Sequence, residues 1–303
     1  MNKLAPIVLF VYNRPNHALR LLESLAKCKL SDQSELFIFA DGPEDDAPET
    51  DIEKIKEVRS LIRSRQWCMK VHIHESENNL GLADSIIHGV TQIIQQFGKI
   101  IVIEDDLILS PGFLEYLNEA LKIYDEDERV MHISAYMYPI KKNLPATFFL
   151  NTTSCWGWAT WSRAWKYFNP SAEELLKQLN QSGRLNEYTF ESSAPFYDHL
   201  QWNVNGQLKT WAIKWYTSVF LQNGFCLHPF PSLVRNSGND GSGTHGSVPV
   251  FNNQEIVNSI IPKKIPVEEN MIARKEIKKF YRDNTYPKNI FKRILKRVFS
   301  PST

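Results

Sequence analysis

The segment Lys99–Leu107 reads KIIVIEDDL and constrains the fold more than any other part of the chain. Ile100, Ile101, Val102 and Ile103, all β-branched and apolar, run straight into Glu104, Asp105 and Asp106. So short and unbroken an apolar run suits a strand covered on both faces, as in parallel sheets. Three adjacent carboxylates packed inside would repel one another and lose hydration. They belong where the strand leaves the sheet, at the carboxyl edge, where open α/β sheets bind ligands. Carboxylates gathered there are hard oxygen ligands, suited to Mg²⁺ or Mn²⁺ and, through the ion, to a diphosphate. From this segment alone the alternative is a solvated acidic turn that also caps the next helix.

Four further runs share the strand character: Pro6–Tyr12 (PIVLFVY), Leu36–Ala40 (LFIFA), Val71–His74 and Val130–Ala135 (VMHISA). Helical spacing of apolar residues lies between them, over His17–Ala26, Asp51–Arg65, Ala83–Phe97 and Pro111–Tyr124. Ser110 is the candidate N-cap of the last of these, with Pro111 at its first position. The alternation predicts βαβ units and a mostly parallel sheet in an α/β fold. Right-handed crossovers place the strand ends on one edge.

The 303 residues carry a formal net charge of +1, which gives no global field to attract nucleic acid. The cysteines at 28, 68, 155 and 226 form no CxxC pair and no zinc spacing, so buried reduced thiols in a cytoplasmic protein are expected. The N-terminus enters a strand almost at once and lacks the features of a signal peptide. No 18-residue apolar stretch occurs to span a membrane.

Beyond about Tyr138 the alternation fades. Residues 148–168 are rich in aromatics, helical stretches follow near Ala172–Asn180 and Thr210–Asn223, and Arg235–Ser247 reads as a polar loop. The expected organisation is an α/β half over 1–140, a site-completing half of the same domain over 141–262, and a helical tail over 263–303. Within the tail, 287–299 sets Ile290, Phe291, Ile294, Leu295, Val298 and Phe299 against five Lys and Arg residues. Such a helix lies in an anionic membrane interface or docks on its own domain.

Polar residues recur where the strands end. Asn13-Arg14-Pro15 follows the first strand and Asp41-Gly42 the second. An Asp there can accept hydrogen bonds from a base or ribose, and an Arg can neutralise phosphate. With Glu104–Asp106 they describe a nucleotide pocket with a divalent cation at its phosphate end. Neither GxGxxG nor GxxxxGK[ST] occurs, which weighs against a dehydrogenase or a P-loop enzyme.

Tyr12-Asn13-Arg14-Pro15, Phe39-Ala40-Asp41-Gly42, Asn78-Asn79-Leu80-Gly81-Leu82, Ile103-Glu104-Asp105-Asp106-Leu107 and Ser110-Pro111-Gly112-Phe113, taken in order, resemble a GT-A glycosyltransferase. The chain is most similar to the N-acetylglucosaminyltransferase I family and its bacterial relatives. The resemblance is clear over about 5–140 and looser through Gly157–Trp161 to about Gly246. It implies a UDP-sugar donor, a sugar of GlcNAc type, inverting transfer, and Mn²⁺ (or Mg²⁺) held through Asp106; a glycan or lipid-linked saccharide acceptor is implied if the basic tail binds membrane. By the same resemblance Glu104 and Asp105 contact donor sugar and ribose, and Tyr12, Arg14, Asp41 and Leu82 hold the donor.

The family's base is an Asp in a Trp-Asp-Asp-Trp-like segment, whereas Thr210–Trp215 (TWAIKW) has no acid. The candidates for the base are Asp198 and Asp240, with a helix-cap or turn role as the alternative for each. The glycine-bearing loop around Asp240 can close over the donor, with His245 reaching the ion or the diphosphate. Trp158 and Trp161 suit either the core or stacking on a sugar. The expected function is a metal-dependent inverting glycosyltransferase of the cytoplasm or inner membrane face. The alternatives are a non-catalytic nucleotide-sugar or glycan-binding protein and a sugar nucleotidylyltransferase.

Overall fold

The computed structural model describes residues 3–238 and 254–284. Its first part alternates regularly: β1 (Ile7–Val11), α1 (Pro15–Ala26), β2 (Glu35–Ala40), α2 (Glu49–Arg63), β3 (Lys70–Glu75), α3 (Leu82–Phe97) and β4 (Lys99–Glu104). Then come β5 (Leu107–Leu109), α4 (Phe113–Ile123), β6 (Val130–Ser134), β7 (Thr147–Leu150), β8 (Trp158–Trp161) and α5 (Ser162–Trp165). The remainder holds α6 (Ala172–Gln181), α7 (Leu185–Tyr188), α8 (Phe196–Val204), α9 (Ala212–Leu221), β9 (Phe225–Pro229), β10 (Val234–Asn236) and α10 (Met271–Asn284).

Eight strands form one sheet in the order β3-β2-β1-β4-β8-β6-β9-β7, and β5 and β10 pair as a separate ribbon. All strands of the sheet run the same way except β7 and β8, which are reversed. The predicted α/β class and mostly parallel sheet are what the chain adopts. The continuous apolar runs follow from cover on both faces. Ile7, Leu9 and Val11 pack with α1, α2 and α4, while Val8 and Phe10 pack with α3, α5 and α9.

Strands β5, β7, β8, β9 and β10 lie where none was predicted. Each has only three to five residues. The strands β7 (TFFL) and β8 (WATW) are buried throughout and so show no alternation. Ser110 does not cap α4. Gly112 flanks that helix without any side-chain cap, and Ser110 Oγ is buried with no partner. The backbone of 258–259 closes over this end, and the Gly112 N–H donates to the Asn258 carbonyl at 2.7 Å.

The tryptophans belong to the core. Trp158 and Trp161 are 0% and 2% exposed, so neither presents a ring to a sugar. Trp158 stacks on Trp211 and on the ring of His132. The indole N–H of Trp215 donates to His132 Nδ1 at 2.9 Å, and His132 Nε2 lies 3.0 Å from the Ser154 carbonyl. These partners fix the neutral tautomer with its proton on Nε2, because an indole N–H can only donate.

Asp41, just past β2, builds the turn before α3. The N–H groups of Gly42, Leu80 and Gly81 each donate to its carboxylate at 2.9 Å, and the Ser85 hydroxyl donates at 3.3 Å. Gly42 is required there, since a Cβ would stand 2.6 Å from the Asn78 backbone. Asp41→Asn places an amide N–H against those donors. We expect a loss of about 2–3 kcal/mol in urea unfolding, with faster exchange of the Leu80 and Gly81 amides.

Burial pushes His132 from the ordinary 6.5 down to about 3; the Ser154 carbonyl opposes this and His228 adds to it. Between these values the unfolded chain binds a proton that the folded chain refuses. The neutral ring's contribution is therefore complete above pH 6.5 and is lost as pH falls. By pH 5 the loss is about 2 kcal/mol, at about 1.4 kcal/mol per unit. The gap in unfolding free energy between wild type and His132→Asn should narrow by that amount from pH 7 to pH 5. A constant gap would mean that the folded protein accepts the proton.

Candidate active site

The site is built at the carboxyl edge of the sheet, where β1 and β4 end side by side. Phe10 of β1 pairs with Glu104 of β4, so the residues after each strand face one another. Tyr12 and Arg14 come from the β1 side, and Glu104, Asp105 and Asp106 from the β4 side. Arg14 Nη1 lies 4.0 Å from Asp106 Oδ2, with both side chains about a fifth exposed. The Tyr12 backbone N–H donates to Asp105.

Three half-buried carboxylates share this guanidinium, and their protonation reflects the imbalance. Burial holds Glu104 well above the usual carboxylate range, reinforced by Asp106 and Asp105 and only partly relieved by Arg14. Burial and the neighbouring Asp106 push Asp105 up to about 7, against the pull of Arg14 and the Tyr12 N–H. Asp106 is raised by burial, with the Asn236 side chain, Arg14 and His17 opposing. A cation placed beside these carboxylates would favour their charged form.

The donor set suits a hard divalent ion, being oxygen throughout. Among the described residues no three His, Cys, Asp or Glu side chains converge as a ready cage. These oxygen groups are of the kind that would hold Mg²⁺ or Mn²⁺.

Other predicted residues fall around this centre in different ways. All the common acceptor positions of the Asp41 carboxylate are taken by its own turn, so it shapes the pocket wall and has none left for a base. Next to that turn, Glu44, Asp45, Asn78 and Asn79 line an open pocket of about 520 Å³. Leu82 opens α3 at 53% exposure, and Leu80 beside it is 46% exposed, so the edge has an apolar rim. Asp198 stands half-buried in the first turn of α8, which packs on α6, α7 and α9 rather than on the strands of the site. The far end of α8 leads to Lys209, whose ammonium pairs with Asp84 of α3 at 2.6 Å. Asp240, His245 and the basic segment 287–299 lie outside the described residues.

Sequence reasoning missed the residues that support the acids from below. Asn236 ends β10, which pairs antiparallel with β5 directly after the acidic triplet, and Ser237 and Gly238 follow it. The Ser237 N–H and hydroxyl both donate to the Asp106 carbonyl, at 2.7 and 2.9 Å. His17 Nε2 approaches the Ser237 carbonyl at 3.3 Å. Arg59 of α2 donates to the Ser76 carbonyl at 2.6 Å and braces the turn beyond β3. Only Gly238 carried a signal, as one of several glycines in a polar stretch.

A family model described as the GNT-I family matches residues 1–171, more than half of the chain. No curated protein matches the sequence. Among solved structures, S. aureus TarS 1-349 is 13% identical, covering 78% of this chain and 61% of its own, with a TM-score of 0.44. Mouse xyloside xylosyltransferase 1, in its apo form, is 12% identical over 72% of this chain and 82% of its own, with a TM-score of 0.38. The mannosyltransferase PcManGT of Pyrobaculum calidifontis, solved with GDP-Man and Mn²⁺, is 12% identical over 58% of this chain and 46% of its own, with a TM-score of 0.33. This chain spans 31% of the longer S. aureus TarS structure. On the family match, which runs through β4, its acidic end and β8, the chain belongs to the GNT-I family, a family of glycosyltransferases.

Proposed function

We propose that the chain is a metal-dependent, inverting glycosyltransferase. It moves a sugar of GlcNAc type from a UDP-sugar to a saccharide or lipid-linked saccharide. The observation that carries this reading is the surplus of carboxylates facing Arg14 at the end of β4 in a GNT-I family chain. A divalent ion bound at Asp106 would offset the charge that develops on the leaving diphosphate.

The chain's own residues do the rest. Arg14 draws the diphosphate to the strand ends, and Tyr12 with the 78–81 turn borders the nucleoside. Leu80 and Leu82 shield the donor from water. Glu104 and Asp105 accept hydrogen bonds from ribose and sugar hydroxyls. Asp198 takes the proton of the acceptor hydroxyl as its oxygen attacks the anomeric carbon from the face opposite the departing nucleoside diphosphate. The basic segment 287–299 would hold the enzyme at the inner face of an anionic membrane.

Asp106→Ala should lower Mn²⁺-dependent donor hydrolysis and transfer by about 100-fold or more while leaving the melting temperature within a few degrees. Unchanged turnover would remove the metal role. Asp198→Asn should reduce transfer by about 10²–10⁴-fold and keep donor binding. Full transfer by this variant would return the base to another residue. In a thermal-shift screen with Mn²⁺, a UDP-sugar at a hundred times its Kd should add about 2.7 kcal/mol of stability. No response to any uridine diphosphate donor would sink the donor assignment.

Binding without turnover is a second reading, favoured by the acid-free segment Thr210–Trp215. Its Trp211 and Trp215 are core residues at 4% and 0% exposure. Donor binding with neither hydrolysis nor transfer in the wild type would establish it.

A further inference from the structure

Of the eight tryptophans, six are no more than 6% exposed and Trp156 is half-buried. Trp202 of α8, by contrast, is 40% exposed. Asp198 precedes it by four residues and His199 by three, spacings that bring side chains together on one helix face. The His199 ring lies beside the indole, with centroids 5.3 Å apart and planes tilted by 35°. Leu200 is fully buried in the core shared with α6, α7 and α9. It stands about half a turn round the helix from both Asp198 and Trp202. The acid and the indole therefore share the side turned away from that core. Among the described residues, no hydrogen bond or ion pair engages the Asp198 carboxylate.

The helix end that carries the ring is braced. The Gln207 and Leu208 N–H groups donate to the Trp202 carbonyl at 2.9 and 3.1 Å. The Asn203 amide donates to the His199 carbonyl and the Thr210 hydroxyl, at 2.9 Å each, and accepts the Thr210 N–H at 2.9 Å. These bonds fix the backbone beneath the indole.

We propose that Trp202 and Asp198 form a saccharide subsite on α8, bordered by His199, and that it takes the acceptor. The inference rests on the glycosyltransferase reading above and says where that acceptor is held. A sugar ring has an apolar face of C–H groups and a rim of hydroxyls. The indole takes the face. The carboxylate accepts hydrogen bonds from the rim, and these are stronger than bonds between neutral groups. Side chains four residues apart on a helix stand about 5–6 Å from one another, so a sugar stacked on Trp202 brings its hydroxyls to Asp198. The ring thus holds the acceptor beside the group that takes its proton. A purely apolar partner would need a continuous apolar patch, whereas the neighbours of the indole on this face are an acid, an imidazole and the exposed Asn205.

The test is binding of the full chain, with neither donor nor metal added, to an array of immobilised oligosaccharides, followed by titration of those retained. It compares wild type, Trp202→Phe, Trp202→Leu and Asp198→Asn, with melting temperatures to identify the variants that fold. Wild type should bind a restricted set. Trp202→Leu keeps an apolar side chain without a flat face, and should bind that set about tenfold or more weakly. Trp202→Phe keeps a ring and should fall between the two. Asp198→Asn should also bind more weakly, and with Trp202→Phe it decides the matter if the leucine variant does not fold. Wild type that binds no saccharide, or folded Trp202→Leu that binds as tightly as wild type, would overturn the subsite, whatever the donor assays give. Saccharide binding that depends on Trp202, in a chain without Mn²⁺-dependent donor hydrolysis, would support the subsite and remove the glycosyltransferase reading.

Discussion

The site depends on an abrupt change of environment along β4. From Ile100 to Ile103 the strand is covered on both faces, and each residue is apolar. From Glu104 onward the cover ends, yet the chain does not emerge fully into water. Arg14 on one side and the chain beyond β10 on the other keep the acids half-buried. Buried carboxylates with too few partners are costly, and here the cost is concentrated at the end of one strand. Other buried polar groups are paired, as with Asp41 in its turn or His132 between an indole N–H and a carbonyl. Carboxylates raised by burial and by one another, as at the edge of β4, are the kind of group found where proteins bind ligands.

Much of the first half was legible in the sequence because its elements are long and regularly spaced. Strands β1, β2 and β4 and helices α1 to α4 follow from apolar runs and helical spacing alone. The later strands were not legible. Three or four residues buried on every side, such as TFFL and WATW, carry no period. Their place in the sheet is fixed by long-range pairing that only the fold supplies. Within the site, the acids and Arg14 could be read because strand ends collect on one edge. Asn236 could not, since nothing in its own neighbourhood announces a strand. Its place beside the acidic triplet comes from the pairing of β10 with β5, more than a hundred residues away. The tryptophans show the reverse problem. A Trp-rich segment suits a sugar platform and a core equally well, and only burial decides between them.

The reversed strand β8 joins the two halves of the chain. It lies between β4 and β6 and runs against both, so that Trp158 pairs with Val102 on one side and with Ser134 on the other. The donor-side strands and the later ones thus share one sheet and one tryptophan-lined core. Movement of either side strains the other.

The filled carboxylate of Asp41 bears on how this chain could change its choice of nucleotide. Because its oxygens are occupied by the turn, under the function proposed above Asp41 would leave recognition of a base at that wall to the main-chain atoms and shape of the 78–81 segment and to the side chains beside it. Main-chain donors and acceptors are the same whatever side chain they carry. Exchange of one residue would therefore leave the main-chain part of that pattern as it was. A relative with a different base preference should differ here in the length or path of the turn, and a search for divergent donors within the family would do better to compare gaps than letters.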